Sequence, residues 1–187
     1  MDMTDARLAT PADIITFWLK AGRDRWYKRD DAFDADIRSR FLATWQKAAS
    51  GELSSWEAND DGALALTIVL DQFPRNLFRN DAKTFSSDPL AREVAGRAID
   101  RGVDARIDPL LREFLYLPFE HSEHLADQQR CVSLFRQCGG HPDNLRYAED
   151  HADIIRRFGR FPHRNRVLGR QTTADEQAFL DAGGFSG

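Results

Sequence analysis

The sequence predicts an all-α protein built as a stack or bundle of about seven to eight antiparallel helices. Three observations carry this prediction. Apolar residues recur at three- and four-residue spacing along most of the chain, as they do on one face of a helix. Residues that favour the starts and ends of helices flank these runs. No pair of alternating segments is joined by a hairpin turn, so a β-sheet is not expected.

In the first half of the chain, proline and amide or acidic residues mark the predicted helix starts. Pro11 suits a first helical turn. Residues 59–61 (Asn-Asp-Asp) can cap the next helix, which we place at residues 62–73. Residues 63–70 alternate weakly, so a strand is conceivable there. Apolar residues on all sides of the segment favour a buried central helix instead.

In the second half, helix boundaries are marked more sharply. Asp108-Pro109 is expected to open a short helix, and Gly139-Gly140 is expected to end a longer one. Residues 141–143 (His-Pro-Asp) then begin a helix that Gly159 ends. Thr173 with Glu176 forms a capping box ahead of the last helix. Short turns of this kind favour antiparallel helix pairs.

Length and composition favour a soluble globular protein. At 187 residues the chain fits one helical domain, 1–187, or two closely packed helical halves. The net charge of -4 argues against a general nucleic-acid-binding protein, which usually has a basic domain. No apolar run approaches the roughly 20 residues of a membrane span, so no membrane partner is expected.

The two cysteines and the N-terminal residues predict a cytoplasmic protein. Cys131 and Cys138 lie two turns apart on one predicted helix, a spacing that a disulfide does not easily bridge. Free thiols favour a reducing compartment. Residues 1–5 lack the basic and then apolar order of a signal peptide.

Three separated motifs resemble the DUF924 family of uncharacterised bacterial proteins. They are residues 70–76 (LDQFPRN), 116–123 (YLPFEHSE) and 158–165 (FGRFPHRN), followed by Leu168-Gly169-Arg170. The resemblance runs from Phe17-Trp18 nearly to the end of the chain and implies a tetratricopeptide-like helical fold. It implies no established activity. One departure is His124, where the family pattern leads us to expect an acidic residue.

The third motif lies in a cluster of cations. Residues 156–170 contain six arginines and His163, with no acidic residue among them. Arginine at a helix start, together with free backbone N–H groups, favours an anion. Pro162 is expected to open such a helix, and the first motif repeats the arrangement at Pro74. The predicted anion ligands are Arg75, Asn76, Arg160, His163, Arg164 and Asn165.

The same arginines have a second interpretation, in which internal carboxylates bind them and the pairs join helix ends. Asp71, Glu120, Glu123, Asp127, Asp150 and Asp153 lie in neighbouring segments. The similarity between the first and third motifs predicts that the turns at Pro74 and Pro162 lie close together. Because the arginines outnumber the acids near them, we expect Arg164 to face a ligand. Its replacement by alanine would then leave stability nearly unchanged.

The second motif supplies the remaining polar candidates. We expect a polar pocket with five contributors: Asp71, Gln72, His121, Glu123 and Gln128. His121 and His124 stand three residues apart on what we take to be one helix, but no third metal ligand is set by spacing. No metal and no cofactor is therefore expected. His121 beside a carboxylate has the chemistry of a general base, although no nucleophile motif accompanies it.

Three functions remain open at this point. The leading hypothesis is a non-catalytic binding protein for a small anionic molecule or a peptide carboxylate. The alternatives are a hydrolase that uses His121 and Glu123 beside the arginines, and a structural interaction module. Whether the chain is an enzyme, what it binds, its oligomeric state and its pathway are not determined by the sequence.

Overall fold

The computed structural model describes residues 8–185, and these form helices and turns without a strand. The helices are, in chain order, α1 (Pro11–Ala21), α2 (Arg23–Trp26), α3 (Asp31–Ala49), α4 (Asp60–Asp71), α5 (Phe73–Leu77), α6 (Asp88–Asp100), α7 (Glu113–Glu120), α8 (Leu125–Cys138), α9 (Pro142–Phe158) and α10 (Ala174–Asp181). Eight of these contain eight residues or more, in agreement with the predicted seven to eight. The all-α fold class is confirmed.

The chain divides into two compact units. Within the described residues, unit 1 holds 8–79 and 83–118, and unit 2 holds 80–82 and 119–185. The division falls inside α7, after Pro118.

Helix α4 is the centre of unit 1, where it packs against α1, α3 and α6. Every residue from Gly62 to Asp71 is buried, so the apolar run is a central helix as predicted, not a strand. The Asn59 side chain caps its start by accepting a hydrogen bond from the Gly62 N–H. Gly62 also lets the preceding turn approach closely, because a Cβ there would lie 2.0 Å from the Trp56 carbonyl oxygen.

In unit 2, α8 and α9 pack against each other, joined by the predicted break at Gly139-Gly140. Gly159 ends α9 in the left-handed conformation, and Thr173 with Glu176 forms the predicted capping box of α10. Ile154, Ile155 and Phe161 form a buried apolar cluster against which Phe158 and Phe179 pack. These local signals therefore set the bounds of the helices.

One predicted helix start is corrected by the structure. Residues 109–112 form a turn, and the helix expected from Asp108-Pro109 begins only at Glu113. Of these four residues Leu111 alone is buried and Leu110 is exposed, so a single apolar side chain, and not a helical face, anchors the segment. Pro162 opens a short helix as predicted, and this is the 3-10 helix Pro162–Arg164.

Candidate functional site

The polar residues of the first motif lie in unit 1 and contact carboxylates of the same unit. The Arg75 guanidinium donates to both oxygens of Asp88, at 3.0 and 3.1 Å, and lies 3.7 Å from Asp71. Asn76 donates its side-chain N–H to Asp34 at 2.8 Å. Gln72 donates to the buried Asp71 at 2.7 Å. The first motif therefore joins α5 to the starts of α3 and α6.

The second motif ends α7 in unit 2. The fully buried Gln128 donates its side-chain N–H to the carbonyl oxygens of Glu120 and Ser122, both at 2.6 Å. The Ser122 hydroxyl donates to Asp127 at 2.6 Å and accepts from the His124 N–H. Gln128 and Ser122 thus satisfy backbone groups where one helix ends and the next begins.

Glu123 connects the second motif to the third. Its carboxylate accepts hydrogen bonds from the Phe161 N–H at 2.8 Å and from Arg170 at 2.6 and 2.9 Å. Burial raises the pKa of Glu123, but the hydrogen bonds from Arg170 and Phe161 outweigh it and lower the pKa overall. The free N–H group at this turn therefore binds an anion, and that anion is an internal carboxylate.

Glu176 is likewise an internal carboxylate, and it accepts hydrogen bonds from two of the predicted anion ligands. Arg160 donates to both of its oxygens, at 2.6 and 2.8 Å, and Asn165 donates to one of them at 3.1 Å. The hydrogen bond from Arg160 lowers the pKa of Glu176, so this buried carboxylate is ionised at neutral pH. These pairs join the loop after α9 to the first turn of α10.

His163 and Arg164 lie in a different environment, together with His151 of α9. The Arg164 side chain is buried, donates to the His121 carbonyl oxygen at 3.0 Å and lies over the Phe161 ring at 4.4 Å. His151 is buried as well, and its Nδ1 lies 2.7 Å from the Tyr147 carbonyl oxygen. The carbonyl accepts only, so this contact places the His151 proton on Nδ1.

Both imidazoles are neutral at physiological pH. Burial, with a smaller contribution from the nearby charges of His121 and Arg164, lowers the pKa of His151 to about 4. Burial and the charge of Arg164 lower the pKa of His163 to about 3. The shifts show that the surroundings of both rings disfavour a positive charge.

His163 has a ring nitrogen whose hydrogen-bonding capacity is unused. Nδ1 of His163 is buried and has no hydrogen-bond partner among residues 8–185. Buried polar atoms are almost always hydrogen-bonded in native proteins, and exceptions call for an explanation. We refer to His151, His163 and Arg164 below as the histidine cluster.

A phenylalanine from the end of the chain covers the two imidazoles. The Phe185 ring centroid lies 4.4 Å from that of His151 and 5.1 Å from that of His163. The turn after α10 brings it there: the Gly183 N–H donates to the Leu180 carbonyl and the Gly184 N–H donates to the Phe179 carbonyl. This is a Schellman motif, which requires the positive φ of 79° that Gly183 adopts.

Phe185 also lines a cavity of about 420 Å³ in unit 2. The other lining residues are Tyr147, Asp150, Asp153, Ile154, Arg157, Phe158 and Phe179. A mostly apolar lining with a few charged groups is typical of small-molecule sites, and the volume is in their usual range. Phe185 therefore contacts the cavity and both imidazoles.

The two histidines considered as metal ligands do not lie on one helix. His121 follows the end of α7 and His124 is the N-cap of α8. The expectation that both lie on one helix is therefore wrong. Within residues 8–185, no group of three or more His, Cys, Asp or Glu side chains is arranged to hold a metal ion. Cys131 and Cys138 are free thiols on α8, as predicted from their spacing.

Comparison with known proteins identifies the family. The model of the family described as "Bacterial protein of unknown function (DUF924)" matches residues 14–184. The chain belongs to this family. A search of curated proteins gave no match.

A solved structure shares the fold of this DUF924 protein. It is that of a protein of unknown function from Agrobacterium tumefaciens, which is 48% identical, with a TM-score of 0.89. The similarity covers 92% of this chain and 97% of that one. In the described part of the DUF924 protein, no helix has the length and apolar character needed to cross a membrane.

The candidate residues predicted from the sequence are divided between the two units. His121, Glu123, Gln128, Arg160, His163, Arg164 and Asn165 lie in unit 2, whereas Asp71, Gln72, Arg75 and Asn76 lie in unit 1. The predicted closeness of the turns at Pro74 and Pro162 stays a prediction. Sequence reasoning missed Phe185 altogether, although an aromatic residue after Gly183-Gly184 signals a chain that turns back on its helix.

Proposed function

We propose that this DUF924 protein is a non-catalytic binding protein for a small anionic ligand or a peptide carboxylate, held by His163 and Arg164. The observation that carries the proposal is the buried Nδ1 atom of His163, which lacks a hydrogen-bond partner among the described residues. An oxyanion accepts a hydrogen bond from a protonated imidazole nitrogen. In the tautomer with its proton on Nδ1, neutral His163 would donate to such an oxyanion, which would give this buried nitrogen a partner.

Electrostatics supports a negative ligand at this point. Burial is the largest cause of both lowered pKa values; the charge of Arg164 lowers the pKa of His151 and of His163 further, whereas the charge of Glu123 raises the pKa of His163. A carboxylate beside His163 would reverse that effect, because an opposite charge favours the protonated form. A hydrogen bond between two charged groups is stronger than one between neutral groups.

The other four predicted anion ligands are outside the proposed site. Arg75 and Asn76 bind Asp88 and Asp34, and Arg160 and Asn165 bind Glu176. For these residues the geometry favours the structural interpretation, in which internal ion pairs join helix ends. The polar motifs then serve two purposes, and only part of the third motif is a binding site.

The hydrolase alternative finds less support. The Ser122 hydroxyl donates to Asp127, and its oxygen accepts from the His124 N–H, which gives Ser122 a role in the turn before α8. We further propose a tetratricopeptide-like arrangement of the helices and a cytoplasmic location. The free thiols of Cys131 and Cys138 support this location, because they suit a reducing compartment.

Calorimetric titration and thermal shift with acetate and inorganic phosphate test the proposed function. We expect both anions to raise the melting temperature of the wild type, since a ligand that binds only the folded state stabilises it. We expect His163→Gln to weaken the binding. The matched control is His124→Gln, because His124 is exposed and its side chain makes no cap hydrogen bond. Equal anion binding in both variants would refute the assignment to His163.

A further inference from the structure

We propose that the ligand is an aromatic monocarboxylate, whose ring replaces Phe185 and enters the adjoining cavity while its carboxylate binds His163 and Arg164. This inference rests on the proposed function, because it takes the anion site as its starting point. It adds the chemical class of the ligand and assigns Phe185 as the group that the ligand displaces.

The position of Phe185 is the first argument. Its ring packs edge-to-face on both imidazoles, at angles of 62° and 76°, so an aromatic ring fits between the histidine cluster and the solvent. Phe161 contacts the same two imidazoles from its own position, at 5.4 and 5.6 Å. The site is thus lined by aromatic rings that favour a further ring in edge or offset contact.

Phe185 is suited to displacement. Its side chain is 36% exposed, so that leaving the site costs less buried apolar area than for a core phenylalanine. The chain before it ends α10 through Gly183 and Gly184, whose hydrogen bonds to Leu180 and Phe179 do not involve the Phe185 side chain. The ring can therefore move while the helix end stays formed.

The cavity next to Phe185 is the second argument. Its wall contains the rings of Tyr147, Phe158 and Phe179 and the side chain of Ile154, in a volume of about 420 Å³. Phe158 and Phe179 lie 5.2 Å apart, which builds one continuous aromatic wall. A ligand ring that takes the place of Phe185 borders this wall and buries apolar area there.

The charges around the cavity restrict the ligand further. Asp150 and Asp153 line the cavity, against a single positive charge from Arg157. Asp153 already contacts Arg156, and Arg157 lies over the rings of Phe158 and Phe179. A second negative group on the ligand would meet these acids, so one carboxylate is favoured over two.

Calorimetric titration with three related probes tests this inference. The probes are 3-phenylpropionate, propionate without the ring, and 2-phenylethanol without the carboxylate. We expect 3-phenylpropionate to bind at least about tenfold more tightly than propionate, since burying an aromatic ring is worth that much or more. We expect 2-phenylethanol to bind more weakly than 3-phenylpropionate.

Two variants isolate the role of Phe185. Phe185→Ala should bind 3-phenylpropionate several-fold more tightly than the wild type, because no ring has to be displaced. Leu110→Ala, which removes an exposed apolar side chain of unit 1, is the control and should bind as the wild type does. In the wild type, the imidazole proton shifts of His151 and His163 should change when 3-phenylpropionate displaces the Phe185 ring.

The outcomes separate this inference from the proposed function. Equal affinities for 3-phenylpropionate and propionate, both lost in His163→Gln, would overturn the aromatic ligand and leave the anion site standing. Equal affinities for 3-phenylpropionate and 2-phenylethanol would show that the carboxylate is not bound and would overturn both. No binding of any probe, in the wild type or in Phe185→Ala, would also overturn both.

Discussion

Replacement of Glu123 by glutamine tests whether an internal carboxylate holds the third motif in place. Glu123 accepts one hydrogen bond from the Phe161 N–H and two from Arg170, which lie 38 and 47 positions after it in the sequence. Glu123→Gln keeps the size of the side chain but removes its charge and one acceptor oxygen. The variant therefore isolates the ionic contribution.

The expected loss of stability is about 2 to 3 kcal/mol. Hydrogen bonds to charged groups contribute about 1.5–3 kcal/mol each when buried, whereas exposed ion pairs contribute about 0–1 kcal/mol. The Glu123 and Arg170 side chains are 27% and 23% exposed, so their pair lies between these limits. Arg170 also keeps its hydrogen bonds to Asn165 and to the Phe161 carbonyl, which limits the loss.

Urea unfolding followed by circular dichroism, together with hydrogen exchange, measures this loss. All four tryptophans, at 18, 26, 45 and 56, lie in unit 1, so tryptophan fluorescence does not report directly on unit 2. Exchange of the Phe161 N–H should be faster in Glu123→Gln, because that amide donates to the carboxylate. The matched control is Glu149→Gln, which disrupts an exposed pair with Arg136 and should cost less than about 1 kcal/mol.

The pH dependence provides a second check. The pKa of Glu123 is lowered on folding, so its stabilisation is present above the usual carboxyl pKa and is lost as the pH falls through the lowered value. The difference between wild type and Glu123→Gln should therefore shrink as the pH falls below the usual carboxyl pKa. If Glu123→Gln costs no more than Glu149→Gln at pH 7, the carboxylate does not hold the third motif and the reasoning is refuted.

Three further outcomes are expected. Folding lowers the pKa values of His151 and His163 to about 4 and about 3, so the free energy of unfolding should be highest above pH 6.5 and fall as the pH drops below it. For His151 the fall should reach about 3 kcal/mol. A melt of His151→Phe should show a smaller fall between pH 6.5 and 4. Arg164→Ala should raise the pKa of His163, because the charge of Arg164 lowers it, and a nuclear magnetic resonance titration measures the change; an unchanged pKa would contradict the electrostatic argument. Gly184→Ala should destabilise the end of α10 by about 1–3 kcal/mol, because its Cβ would lie 2.5 Å from the Phe179 ring; hydrogen exchange as slow as in the wild type would refute this.

The arginine-rich segment shows where sequence reasoning reached its limit. The excess of arginines over acids in residues 156–170 suggested that several would face a ligand. Arg160 and Arg170 instead bind Glu176 and Glu123, which lie 16 and 47 residues away in the sequence. A count of charges within one segment omits partners that reach it from other helices.

What the sequence determined by itself is the set of helices and most of their ends. Capping residues such as Asn59 and Thr173, and terminators such as Gly159, act on backbone groups within about one helical turn, so their effect is written in neighbouring residues. Burial of α4 on all sides followed from its composition, because a helix that is apolar all round is expected to be covered by other helices.

Only the tertiary structure decided which polar groups meet. Asp88 and Glu176 became the partners of Arg75 and Arg160 because helix packing brings chain segments 13 and 16 residues apart within hydrogen-bond distance. Likewise, the Schellman turn after α10 places Phe185 over His151, 34 positions earlier in the sequence. Ion pairs and aromatic contacts depend on distances of a few ångströms, and those distances are set by how whole helices pack.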